Sequence, residues 1–85
     1  MKIRNMLSSK GNRVANQFIV DFKHITVFQS YETVIAVYDY QTATLYQDEE
    51  YYSKTTSKYL NMFIRAYNPM RIFKVKNNEL HKLIG

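Results

Sequence analysis

The chain has 85 residues, 46% of them hydrophobic, no cysteine and a formal charge of +5. That length allows one domain, residues 1–85, with a small core. It excludes a disulfide framework and a thiolate metal site, and two glycines cannot build a Gly-rich phosphate cradle. No apolar run approaches the roughly 20 residues that span a bilayer, and no signal-peptide core follows the first lysine, so the expectation is a cytosolic protein with no membrane partner.

Residues 2–8 alternate weakly and fix no element. Ser8 to Asn12 form a turn, with Gly11 able to supply a positive φ. Val14 to Phe22 is rich in β-formers, and Val14, Phe18, Val20 and Phe22 fall on one face at period two, interrupted by Asn16. A tight connection at Lys23-His24 leads to a strand over 25–29. Ser30-Tyr31-Glu32 bends into a strand over 33–39 that is apolar on both faces, as a central strand is. Tyr40-Gln41 turns it into a strand over 42–46. Links this short make an antiparallel meander the expected pairing.

The period then changes. Thr55 or Thr56 suits an N-cap, and Leu60, Phe63, Ile64 and Tyr67 form one apolar stripe at helical spacing. Asn68 can close that helix and Pro69 prevents its continuation. Met70 to Lys76 reads as a fifth strand, with Met70, Ile72, Phe73 and Val75 covering core and Arg71, Lys74 and Lys76 facing out. Asn77 can cap a short last helix carrying Leu80, Leu83 and Ile84. The expected fold is α+β: a small antiparallel sheet of four to five strands, one amphipathic helix over about 56–67 on one face, and a short C-terminal helix.

Charge is segregated. Residues 1–20 sum to +4, residues 21–52 to −5 and residues 53–85 to +6. Two basic ends flanking an acidic middle point to a polyanionic partner or to solvated faces. The thirteen aromatics, eight Tyr and five Phe, suit half-buried positions or a partner surface. Asp48, Glu49 and Glu50 read as a solvated acidic turn, because three adjacent acids argue against burial. His24 and His81 lack metal-ligand spacing, so no metal, cofactor or catalytic residue is expected.

Two groups are candidates for partner or anion binding. Lys54, Thr55, Thr56, Ser57, Lys58 and Tyr59 surround a helix N-terminus, where free N–H groups favour anions and hydroxyls add donors. Arg71, Lys74 and Lys76 lie on an edge strand, where they can line nucleic acid or protect the edge.

Three segments carry a resemblance. They are Lys10-Gly11-Asn12-Arg13-Val14-Ala15-Asn16-Gln17-Phe18, Phe28-Gln29-Ser30-Tyr31-Glu32-Thr33-Val34-Ile35-Ala36, and Tyr51-Tyr52-Ser53-Lys54-Thr55-Thr56-Ser57-Lys58-Tyr59 followed by Phe63. In order and spacing they resemble a family of small uncharacterised bacteriophage proteins with the pattern G-N-x-V-A-N-Q-F, F-Q-S-Y-x-S/T-x-I-A, Y-S-x-T-T-S-K-Y. The similarity covers about residues 10–65. It implies a phage or mobile-element origin and brings no catalytic residue. Small phage proteins that act without enzymology often bind and block a host component, as anti-CRISPR inhibitors do. The expected function is therefore a non-enzymatic inhibitor of a host protein or ribonucleoprotein complex in the bacterial cytoplasm. The alternatives are a small basic protein that binds DNA or RNA for phage replication or gene control, and a self-associating assembly protein acting as a homodimer.

Overall fold

Five strands follow one another, each joined to the next by a turn too short for anything but an antiparallel return. They are β1 (Lys2–Leu7), β2 (Arg13–Asp21), β3 (Ile25–Ser30), β4 (Thr33–Asp39) and β5 (Thr44–Asp48). Helix α1 (Lys54–Tyr67), strand β6 (Arg71–Val75) and helix α2 (Asn77–Ile84) complete the chain. A computed structural model describes residues 1–50 and 52–85. The strands form one sheet in sequence order from β1 to β6.

The α+β class agrees with the sequence, but the sheet has six strands and is mixed. Within segment 2–8, Lys2–Leu7 forms strand β1, paired along β2 from Lys2↔Asp21 to Leu7↔Arg13. Strand β6 lies parallel to β5, from Thr44↔Arg71 to Asp48↔Val75. The intervening helix carries the chain back along the sheet, so β6 starts at the same end as β5. The fourth strand also begins later than the expected 42–46, because residues 40–43 are taken by a turn in which Ala43 has φ 53°. The turn at Ser8–Asn12 is as expected: Gly11 has φ 81° and donates its N–H to the Ser8 carbonyl at 2.9 Å.

Both faces of the sheet are covered. Met6, Ile19, Phe28, Ile35, Ala36, Tyr38 and Leu45 pack with Tyr59 and Phe63 of α1. Val20, Val27, Val34 and Val37 pack with Leu80 of α2 on the other side. This two-sided burial is why β4 is apolar from Val34 to Tyr38. Two irregularities decide which residues meet which helix. Asn16 adopts φ 65°, and alternation in β2 slips there. Val14 therefore packs on the α1 side while Val20 and Phe22 pack on the α2 side, so the single face expected for them is divided. In β4, Phe28 pairs Ala36 and Gln29 pairs Val34, which leaves Ile35 as an extra residue and turns both Ile35 and Ala36 towards α1.

Helix α1 starts two residues before the expected 56 because its cap is Ser53, not Thr55 or Thr56. The Ser53 hydroxyl accepts from the Thr56 N–H at 3.3 Å. Its other end is as the sequence indicates: Asn68 is left-handed at φ 46°, and its N–H reaches the Ile64 carbonyl at 2.8 Å. Phe63 stacks with Phe28 at 5.9 Å and meets Tyr67 at 4.9 Å, anchoring the stripe to the sheet. The α2 cap differs from expectation. Lys76 occupies that position without a side-chain bond, and the Asn77 amide is used elsewhere.

Candidate functional site

The helix-start group divides by burial. Lys54, Thr55 and Lys58 are exposed, whereas Thr56 and Tyr59 are buried and Ser57 is half-buried. Thr56 works for the fold: its hydroxyl lies 3.2 Å from that of Ser30 at the end of β3 and accepts from Ser53 at 3.3 Å. Ser57 donates to the Tyr52 carbonyl at 3.5 Å. The Tyr59 ring belongs to the core, and the Lys58 ammonium lies 5.4 Å from its centroid. The Thr56 and Ser57 hydroxyls are thus used within the fold, and of the three hydroxyls expected to meet an anion only that of Thr55 stands exposed. Tyr51 lies outside the described residues.

The second group lies on β6, an edge of the sheet. Alternation sends Arg71 and Phe73 to one face and Ile72 and Lys74 to the other. Phe73 stacks on Tyr46 at 5.8 Å, on the α2 side. Lys74 opens onto the α1 side, in a depression of about 260 Å³ that it shares with Ser57, Asp48, Glu49, Glu50 and Tyr52. Lys76 sits at the start of α2. The three basic residues therefore do not form one phosphate track.

The expected burial along β6 is also corrected. Met70 is 82% exposed, Ile72 48% and Phe73 49%; of the four apolar residues assigned to core, only Val75 packs with a cluster. The reason is position: β6 has a neighbour on one side only, and α2 lies against β4 and β5.

The backbone of that edge is open. Arg71 donates its N–H to the Ala43 carbonyl at 3.4 Å, and the Val75 carbonyl accepts from the Glu49 N–H at 2.8 Å. In a parallel ladder, alternate residues direct their polar groups to the same neighbour. Residues 71, 73 and 75 thus serve β5, and Ile72 and Lys74 direct N–H and C=O outward.

A polar centre that the sequence did not reveal holds this region together. Asp48 was expected on an acidic surface turn with Glu49 and Glu50; those two are exposed, but Asp48 is only 4% exposed. Its carboxylate accepts from the Tyr52 hydroxyl at 2.6 Å, the Asn77 amide at 2.6 Å and the Glu50 N–H at 2.9 Å. Asn77 also donates to the Val34 carbonyl at 2.8 Å. Burial raises the affinity of Asp48 for a proton, but the bonds from Tyr52, Glu50 and Asn77 outweigh it and hold the carboxyl below its usual range. Burial, the bond to Asp48 and the charges of Asp48 and Glu50 push the Tyr52 hydroxyl above the ordinary phenol range. The local signal was Asp48 followed by Tyr52 four residues on; Asn77 is distant in sequence.

His24 and His81 are exposed, and His24 Nδ1 lies 3.4 Å from the Gln41 amide. Among the described residues, no three His, Cys, Asp or Glu side chains are grouped to hold a metal, and no helix is long and apolar enough to cross a membrane.

No curated protein and no solved structure matches the chain. A family model does, over residues 1–79, from β1 through the first turn of α2: the chain belongs to a family of unknown function, DUF8033.

Proposed function

We propose that this DUF8033 member is a non-enzymatic interaction protein of bacteriophage origin that inhibits a component of its host, most sharply as an anti-CRISPR or other anti-defence inhibitor. It acts in the host cytoplasm on a protein or ribonucleoprotein complex. The observation that carries the reading is the β6 edge, where open backbone groups at Ile72 and Lys74 adjoin exposed Ile72 and Phe73 and the cations Arg71 and Lys74, which make no ion pair among the described residues. Exposed apolar residues beside an unfilled ladder favour a protein partner. The division of the cations between two faces counts against a groove that follows phosphates. The buried carboxylate Asp48 is committed to three bonds within the fold, which supports a binding role over acid–base chemistry. The phage assignment is supported by the three motif segments.

Phage plating on a host with active CRISPR interference tests the proposal. Expression of the chain restores plaques, and Arg71→Glu with Lys74→Glu abolishes the rescue. Unchanged plating across several interference types and other defence systems, with the protein folded and expressed, overturns it. An electrophoretic shift with DNA or RNA that weakens steeply with salt, while plating is unchanged, assigns the basic residues to phosphates instead.

A further inference from the structure

We infer that the β6 edge is a docking strand for an extended acidic segment of a partner protein, which adds as a seventh strand. This rests on the binding reading above and specifies the chemistry of the partner. Four consecutive residues, Arg71-Ile72-Phe73-Lys74, read cation, apolar, apolar, cation. Directly opposed residues in paired strands share a face, and opposite charges or apolar pairs stabilise them. The complementary segment therefore reads acid, apolar, apolar, acid. That order is the same in both directions, so it satisfies parallel and antiparallel addition alike. Outward N–H and C=O groups at Ile72 and Lys74 supply the main-chain bonds. On the α2 side, the incoming apolar residue meets half-exposed Phe73, with exposed Leu83 of α2 on the same side.

A second copy is a poor occupant. Residues 70–77 contain no acid, so pairing β6 with β6 gives Arg71 and Lys74 no acidic partner, and the other edge, β1, carries Lys2 and Arg4. The chain has no two acids three residues apart, so it holds no segment of the complementary pattern. Edge protection explains the lysine and the arginine, but not Ile72 and Phe73 half-exposed between them.

The test is an amide-resolved NMR titration of the intact chain with three synthetic peptides of equal length. Their central residues are Glu-Val-Val-Glu, Lys-Val-Val-Lys and Glu-Ser-Ser-Glu, and an oligothymidylate serves as a fourth probe. The first peptide is expected to shift residues 70–76 and to slow hydrogen exchange at Ile72 and Lys74. It binds at least about tenfold more tightly than the second, and Arg71→Glu with Lys74→Glu reverses that preference. Absence of binding, equal binding of the lysine peptide, shifts mapping away from β6, or displacement by oligothymidylate overturns the inference. So does a concentration-dependent dimer on sedimentation that the double substitution removes. Because wild-type protein answers the peptide comparison, the result stands without the variant. The two readings fail separately: plaque rescue that survives Arg71→Glu with Lys74→Glu keeps inhibition and removes the β6 docking strand.

Discussion

At the scale of single residues, Asp48 and Phe63 carry the most weight, and only one of them is legible locally. Phe63 sits in the middle of a helical apolar stripe, so its burial follows from spacing; it is 1% exposed against Phe28 and Tyr67. Phe63→Ala is expected to cost about 3–5 kcal/mol in a urea unfolding series. Asp48 stands first in a run of acids, and nothing in that run indicates that one is buried. Asp48→Ala strips the acceptor from Tyr52, Asn77 and the Glu50 N–H, and a loss of about 2–4 kcal/mol is expected. Tyr52→Phe removes one of those bonds and should cost about 1–2 kcal/mol, less than additively with Asp48→Ala. The pH dependence follows from the direction of the shift. A carboxyl depressed in the folded state contributes fully above its unfolded value near 3.9 and loses that contribution as pH falls through the folded value. The stability gap between wild type and Asp48→Asn should therefore be constant near neutrality and narrow below about pH 4. For Tyr52 the phenol is raised, so its contribution is complete below about pH 10 and is lost as pH climbs beyond the phenol range.

At the scale of elements, end signals and left-handed residues set the geometry. Ser53 caps α1 through the Thr56 N–H, and Ser53→Ala should lower stability by about 1 kcal/mol. The rest of the helix is readable because its determinants are local: the stripe repeats every 3.6 residues, and Asn68-Pro69 ends it. Strand β2 is less transparent. Its Asn16 interrupts the apolar alternation, and a left-handed residue there moves Val14 to the opposite face from Val20. Asn tolerates that conformation, and a β-branched side chain does not. Asn16→Val is expected to cost about 1–2 kcal/mol, with Asn16→Gly near neutral, measured as shifts of the thermal midpoint. Strand β6 shows the converse failure. Its strand character is legible, but strict alternation divides Ile72 from Phe73 and Arg71 from Lys74, and composition does not say whether a strand has one neighbour or two, so of the apolar residues expected in the core only Val75 packs there.

At the scale of the molecule, the segregation of charge becomes geometry. The two basic ends of the sequence supply the two outer strands, so Lys2 and Arg4 border one edge and Arg71 and Lys74 the other. Arg4 pairs with Asp21 at 3.4 Å and Glu49 and Glu50 lie near Lys74, but both outer strands present cations where another chain would add. Edge-to-edge association should therefore be opposed, and sedimentation across a concentration series in low salt is expected to return a monomer. A dimer under those conditions would contradict the charge arrangement.

The sequence by itself determined the α+β class, the antiparallel run of the middle strands, the two-sided burial of β4, and the apolar stripe and closure of α1. Each rests on interactions within a few residues: turn lengths, alternation, helical spacing and caps. Only the tertiary structure decided that β1 is a strand, that β6 runs parallel at an edge, and that Asp48 is buried. Asp48 and Asn77 are 29 positions apart, and Asn77 and Val34 are 43 apart. Contacts at such separations leave no period in the chain. They exist because α1 reverses the path after β5 and brings β6 and the start of α2 back against the sheet.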